Sequence, residues 1–293
     1  MIQIPACPLC KSQANKSLFS ERGYTLFSCS VCELFFIDPY PADNEMVHGR
    51  ISEYDYDEIK ILDPASHYRA EVEYYKNYFP QIARECEGAR SVLDVGCGTG
   101  HLLERLNIFP DLYRNGIELN SARAEMARKV SGCDIFQIPI ENFTSEIKYD
   151  VITMINVLSH IPSFQSLFTS VRSLLSDQGK FIVKTGELIK GVKKGDIFDW
   201  GIPDHLHFLG LNTMDFICRE FDFRICKHDR IPISRELFSP ETWKSPGRSA
   251  VRNKIKSIVV NTPFVLPFLA RCYELTRGIR IYSSLFVLSP LNR

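Results

Sequence analysis

The sequence predicts an α/β protein, a mostly parallel sheet covered by helices, preceded by a small module closed by four cysteines. Three observations carry this reading. Between Ser91 and Lys184 short apolar runs alternate with helical stretches, the pattern that gives parallel strands joined by crossovers. The first run, Ser91 to Val95, leads directly into Gly96-Cys97-Gly98-Thr99-Gly100 and a helical stretch from His101 to Leu106. Open α/β sheets bind their ligands at such strand ends, where glycines let the backbone approach closely. Finally, Cys7-Pro-Leu-Cys10 and Cys29-Ser-Val-Cys32 are two C-x-x-C pairs separated by 18 residues.

Those cysteines predict a zinc-ribbon module over residues 1–40. Each pair sets two thiolates on one tight turn, and two pairs close a tetrahedron that leaves no position for water, which favours structure over catalysis. A segment of about 40 residues buries too little apolar area to fold alone, and zinc binding worth about 10–16 kcal/mol makes up the difference. Cys7, Cys10, Cys29 and Cys32 are therefore the expected zinc ligands. The other six cysteines are scattered as core thiols usually are. The module is nearly neutral, which is weak for nucleic acid, so packing or substrate contact is the expected role.

Residues 41–90 read as a helical linker or cap rich in tyrosine: Tyr54, Tyr56, Tyr68, Tyr74, Tyr75 and Tyr78. They serve either aromatic packing between helices or the capping of a ligand pocket.

From residue 91 the chain reads as the main domain, to residue 293. The glycine spacing is G-x-G-x-G, and His101 stands where a dinucleotide fingerprint needs its third glycine. Asp94 would repel a pyrophosphate and accept instead from a cationic or amine-bearing ligand. A second strand, Tyr113 to Ile117, ends in Glu118, a carboxylate placed to hold both hydroxyls of a ribose. A third runs from Cys133 to Gln137 and a fourth from Tyr149 to Met154, leading to Asn156 and His160. A helix from Phe164 to Leu175 and a strand from Lys180 to Lys184 follow.

Val92-Leu93-Asp94-Val95-Gly96-Cys97-Gly98-Thr99-Gly100, the acid at Glu118, the segment Tyr149 to Ile161 and the segment Leu174 to Val183 occur in the order and spacing of a known family. Over residues 91–230 the chain resembles the class I S-adenosylmethionine-dependent methyltransferases, within a subgroup carrying an N-terminal zinc-binding module that acts on sugars and other small natural products. The resemblance implies a seven-stranded, mostly parallel Rossmann-like sheet with an antiparallel strand near the chain end, for which Ser284 to Leu288 is suited. It also implies that Gly96, Cys97, Gly98 and Gly100 shape the loop around the amino-acid end of S-adenosylmethionine, with Asp94 at its head. Glu118 would hold the ribose, Ile140 and Glu141 would lie along the adenine, and Asn156 would line the methyl-donor channel.

Methyl transfer from a sulfonium is an in-line displacement helped by near-attack geometry in a dry site, and a hydroxyl or carbon acid also needs a base. His205 is the favoured base, with Asp204 as its orienter and His160 as a second catalytic or substrate-binding candidate. Related sugar C-methyltransferases carry Tyr-His-Glu-His where this chain has Ile202-Pro203-Asp204-His205, so the acid and second histidine match in kind and the first two positions do not. His207 alternates away from His205 and is expected to be structural.

The expected function is methyl transfer to a small acceptor: a sugar, a nucleotide-linked sugar or a natural-product precursor. Two alternatives stand beside it, an RNA base methyltransferase using the ribbon to bind RNA, and a non-catalytic cofactor-binding scaffold. Nucleic acid is the less expected partner, since the fourth strand lacks an Asn/Asp-Pro-Pro-Tyr/Phe motif and no Pro-Cys nucleophile pair occurs.

Formal net charge is zero over 293 residues, but the zero is a cancellation. From Lys244 to Arg293 nine Lys or Arg face one acid, Glu274, a net +8, leaving residues 1–243 at −8. Residues 230–280 are read as a basic insertion before the last strand, roofing the acceptor site and favouring an anionic acceptor, or touching a membrane peripherally through Ile258 to Leu269. With no run of about 18 uninterrupted apolar residues, no signal-peptide pattern and ten cysteines, the sequence places the protein in the cytoplasm.

Overall fold

A computed structural model describes residues 4–41, 64–196, 200–238, 258–262 and 264–291. Tyr54 and Tyr56 of the tyrosine-rich stretch, and Lys254 and Lys256 of the basic insertion, lie outside the described residues.

The core is a seven-stranded sheet. In chain order its strands are β4 (Ser91–Val95), β5 (Tyr113–Ile117), β6 (Asp134–Phe136), β7 (Tyr149–Ile155), β8 (Leu175–Leu188), β10 (Phe223–Pro232) and β11 (Ile281–Pro290). Across the sheet they run β6-β5-β4-β7-β8-β11-β10, parallel except for β11, which is antiparallel to both neighbours. β4 is buried at all five positions because helices cover both faces, which is why its sequence reads as a continuous apolar run broken only by Asp94.

The helices follow their sequence signals. α1 (Pro64–Tyr75), α2 (Phe79–Cys86), α3 (His101–Arg105) and α4 (Ser121–Ser131) pack on one face against Val92, Val151, Ile182 and Leu285. α4 begins where the Asn120 side chain accepts from the Arg123 amide and ends at Gly132 in the left-handed region. α5 (Phe164–Leu174) and α6 (Thr213–Glu220) cover the other face. α5 presents Phe164, Leu167, Phe168, Val171 and Leu174 at helical spacing to Ile152, Phe181 and Phe286. α7 (Ile233–Leu237) and α8 (Val265–Arg277) lie between β10 and β11.

Among the described residues four further strands extend the expected seven-stranded core to an eleven-stranded sheet. The extra four are β1 (Asn15–Glu21), β2 (Tyr24–Cys29) and β3 (Phe35–Asp38) of the cysteine module, and β9 (His207–Gly210). The reason is the length of β8. It pairs with β7 only as far as Lys184 and continues to Leu188, so its last residues would leave an unpaired edge. β9 takes that edge through Glu187 and Leu188, and β3 then pairs antiparallel with β9 through Phe35 and Phe36. The cysteine module thus joins the main sheet at the carboxyl end of β8. Leu34 and Phe36 share one buried cluster with Leu209, Met214 and Ile217 of the main domain.

Candidate active site and the module that walls it

The glycine loop leaves β4 at the carboxyl edge. Gly98 has φ +57°, and a side chain there would collide with the carboxylate of Glu71, which reaches in from α1. Gly100, at φ +85°, serves packing: a Cβ would lie 2.8 Å from the Ala127 backbone, so this glycine lets α3 and α4 approach each other. The Cys97 thiol is buried against Gly116, so this residue can meet a ligand only through its backbone.

Three carboxylates converge on the loop. Glu118 accepts from the Gly98 amide at 3.0 Å and from the Asn120 amide at 2.9 Å. Glu71 accepts from the amide and the hydroxyl of Thr99 at 2.9 and 2.7 Å. Asp94 is 1% exposed. Its Oδ1 accepts from the Thr153 hydroxyl at 2.7 Å, while its Oδ2 has no hydrogen-bond partner. Burial, with the nearby charges of Glu71 and Glu118, pushes the Asp94 carboxyl up to about 7. A buried, half-satisfied carboxylate beside two others is a site for a cation that also offers hydroxyls, and S-adenosylmethionine fits that description with its ammonium, sulfonium and ribose. Asp94, Gly96, Gly98 and Glu118 thus meet in one place. Ile140 and Glu141 lie on a short turn beyond β6, where Ile140 is buried in the core with Phe136 and Phe143.

Neither Glu71 nor Thr153 was singled out from sequence. Glu71 sits in a helix without a motif, and Thr153 inside a strand has no signal beyond its polarity. The tyrosines of the linker divide. Tyr68 donates to Glu104 at 2.6 Å, and Tyr75 packs near His101. Tyr74 and Tyr78 place their rings 4.7 and 5.0 Å from the Lys184 ammonium.

Further along the edge, Asn156 follows β7 at φ +59°, in the left-handed region. Its amide donates to the Lys184 carbonyl at 2.9 Å, and its Oδ1 accepts from Lys184 Nζ at 3.1 Å. Lys184 is buried among the tyrosines, and that burial lowers its ammonium to about 7. In the sequence Lys184 stands only as the end of a strand.

His160 and His205 come together with ring centroids 4.8 Å apart. His160 Nδ1 donates to the Asp204 carbonyl at 2.8 Å, and His205 Nδ1 donates to the Trp200 carbonyl at 3.0 Å. A carbonyl only accepts, so both rings carry a hydrogen on Nδ1, and in the neutral form the lone pair is on Nε2. The Asp204 carboxylate lies 3.6 Å from His160 Nδ1, so the acid faces His160 in this structure. His207 is fully buried against Phe164, and burial lowers it to about 3, so it stays neutral.

The loop carrying His205 is held from two sides. The Leu206 amide donates to the Ser159 carbonyl at 2.8 Å. From the cysteine module Arg22 donates to the Ile202 carbonyl at 2.9 Å, the Ile37 amide to the Leu206 carbonyl at 2.9 Å, and Phe19 packs on Trp200 at 4.9 Å. The Thr213 hydroxyl, at the start of α6, donates to the Cys32 carbonyl at 2.8 Å.

Cys7, Cys10, Cys29 and Cys32 bring their four sulfurs within 4.8 Å of one another, with Cys7 to Cys32 at 3.6 Å and Cys10 to Cys29 at 3.5 Å. Tetrahedral zinc with Zn–S bonds of about 2.3 Å sets its sulfurs about 3.8 Å apart, so the cluster is the right size. Hydrogen bonding from Cys32 draws the Cys7 thiol down to about 5 and drives the Cys32 thiol up, two close sulfurs competing for one proton.

The profile of a methyltransferase domain matches residues 65–228, from α1 into β10. The chain belongs to the methyltransferase domain family. Curated relatives include the ubiquinone biosynthesis O-methyltransferases of Pasteurella multocida (strain Pm70) and Histophilus somni (strain 2336). The first is 34% identical over 122 residues, covering 36% of this chain and 50% of that protein. The second is 36% identical over 107 residues, covering 33% and 44%. The chain spans about half the length of these relatives. Among solved structures, the O-methyltransferase from the trans-AT PKS multienzyme of Brevibacillus brevis, in complex with S-adenosyl-L-homocysteine, aligns with TM-score 0.50 and 20% identity over 79% of this chain and 78% of that one. A candidate sarcosine dimethylglycine methyltransferase from Galdieria sulphuraria aligns with TM-score 0.53 and 14% identity over 75% and 85%. At these identities the structural matches establish the methyltransferase fold.

Proposed function

We propose that this methyltransferase-family chain moves a methyl group from S-adenosylmethionine to a hydroxyl of a small acceptor. The single observation that carries the cofactor half is the partnerless Oδ2 of buried Asp94, set between Glu71 and Glu118 at a glycine loop. Oxygen as the accepting atom is supported by the relatives named O-methyltransferases and by the paired imidazoles, whose Nε2 lone pairs suit removal of a hydroxyl proton. A sugar, a nucleotide-linked sugar or a natural-product precursor is the acceptor class proposed. The close engagement of the cysteine module with the His205 loop favours such an acceptor over RNA, because the module's inner face is already used.

When bound, the cofactor supplies an electrophilic methyl on a sulfonium. Asp94 and Glu71 hold the cationic amino-acid end and Glu118 the ribose hydroxyls, while Gly96 and Gly98 keep the loop open for them. Asn156, fixed by Lys184, lines the passage toward the acceptor. His205 Nε2 would take the proton of the acceptor hydroxyl as that oxygen accepts the methyl, and the imidazolium would then release it to solvent. His160, oriented by the carbonyl and carboxylate of Asp204, binds the acceptor oxygen alongside. Cys7, Cys10, Cys29 and Cys32 would hold a structural zinc that fixes this wall.

Calorimetry with S-adenosylhomocysteine tests the cofactor half. Incubation of the purified protein and isotope-labelled S-adenosylmethionine with a metabolite extract, read by mass spectrometry, tests the transfer. No cofactor binding by the wild-type chain rejects the proposal; cofactor binding with no labelled metabolite leaves the scaffold alternative in its place.

A further inference from the structure

Helix α8 has two unlike faces. Leu266 and Ala270 are buried, the Tyr273 ring meets Phe238 at 5.8 Å, and Glu274 accepts from the Ser234 hydroxyl at 2.7 Å, so this face fastens the helix to α7. On the other side Phe264, Phe268, Arg271 and Leu275 recur at spacings of four, three and four, one line down the helix. Phe264 is 83% exposed, Phe268 66% and Leu275 71%, and Ile258 just upstream is 60% exposed. Single exposed apolar residues need no explanation, whereas a line of large ones about 16 Å long marks a contact surface.

The exposed cations described beside this line are Arg271, 3.3 Å from Glu274, and Arg235. Between Glu241 and Glu274 the sequence contains Lys244, Arg248, Arg252, Lys254, Lys256 and Arg271 and no acid. Pairing with a second copy would oppose two such basic segments, which repel. An anionic lipid surface supplies both what the line lacks, an apolar layer under an anionic skin, in the arrangement that interfacial helices use.

We propose that α8 docks this protein on an anionic bilayer, with Phe264, Phe268 and Leu275 in the interface and Arg235 and Arg271 against the headgroups. The helix enters β11 at Ile281, which pairs with Leu188 at the carboxyl end of β8, so the docking face belongs to the same edge of the sheet as the candidate active site. An acceptor held at a membrane would then reach the site without crossing water. That consequence rests on the methyl-transfer proposal; the docking does not.

The test is co-sedimentation of the full chain with vesicles of phosphatidylcholine alone or mixed equally with phosphatidylglycerol. Binding to the mixed vesicles, weakened by salt and much poorer on phosphatidylcholine, is expected. The double variant Phe268→Glu and Leu275→Glu should lower partitioning by about tenfold or more while S-adenosylhomocysteine affinity is unchanged, both sites being exposed and remote from the glycine loop. Absence of binding to the mixed vesicles, equal binding to neutral ones, or equal partitioning of the double variant overturns the proposal. A concentration-dependent dimer in sedimentation that the double variant abolishes, without vesicle binding, assigns the line to self-association instead.

Discussion

The cofactor half and the acceptor half of the sheet's carboxyl edge are built by opposite strategies. Asp94, the glycine loop and Glu118 lie within 25 consecutive positions on two adjacent parallel strands, so local geometry brings them together. The acceptor half assembles His160 from the end of β7, His205 from the loop before β9, Lys184 from β8 and a wall from the N-terminal module, including a hydrogen bond between residues 180 positions apart. The other partners of the cofactor half, Glu71 of α1 and Thr153 of β7, also belong to the main body, whereas the acceptor half rests in part on the N-terminal module.

The largest effect expected from this contrast concerns the zinc proposed for Cys7, Cys10, Cys29 and Cys32. Removing it with a chelator, or by Cys7→Ser with Cys32→Ser, should release residues 4–41 and the 200–206 loop, since a ribbon of this size depends on about 10–16 kcal/mol of metal binding. Hydrogen exchange should rise in both segments and methyl transfer should fail, while S-adenosylhomocysteine still binds. Equal loss of cofactor binding would show that the two halves are not separable.

Next in size is His205→Ala, expected to lower kcat about 10²–10⁴-fold with little change in cofactor affinity. A change confined to the acceptor KM would assign His205 to binding instead. On the cofactor side, Gly98→Val should weaken S-adenosylhomocysteine binding by roughly 100-fold or more, because it combines a left-handed backbone, costing about 1–3 kcal/mol, with a clash against Glu71. Calorimetry reads it directly.

A smaller effect follows from Asp94. Its carboxyl titrates near 7, and a cationic ligand binds the ionised form. Below about pH 7 the proton must leave on binding, so the dissociation constant should rise as pH falls, by at most about tenfold per unit. Above that value the group is already ionised and affinity should level off. Asp94→Asn should abolish the slope; a slope that persists would place the titrating group elsewhere. Gly100→Ala acts on stability rather than on binding, with a cost of about 1–3 kcal/mol from forcing α3 from α4, read as a lowered Tm with cofactor affinity changed less than by Gly98→Val.

Legibility in the sequence tracks the same divide. Strands β4 to β8 and β11 are legible because continuous burial gives apolar runs, while the Asn120 and Ser163 caps that start α4 and α5 are seen in the structure. Asp94 and Glu118 were readable as acids at strand ends. Glu71 was not, since nothing about an acid in a tyrosine-rich helix indicates which loop it will meet. Lys184 looked like a charged strand terminus, and only the arrival of Tyr74, Tyr78 and Asn156 buries it. At His205 the Trp200 carbonyl accepts from Nδ1, and Asp204, whose carbonyl accepts from His160 Nδ1, lies with both histidines in one cluster whose ligand atoms are within 4.8 Å of one another.

By itself the sequence determined the α/β alternation, the glycine turn with its flanking acids and the tetrahedral cysteine set, because each follows from residues close in the chain whose chemistry leaves few local solutions. Only the tertiary structure decided that β8 would overrun β7, that β9 and β3 would fill the exposed edge, and that the cysteine module would therefore wall the histidine pair. Strand pairing between distant segments depends on which unpaired backbone edge each finds in the folded core, and that edge exists only once the core has formed.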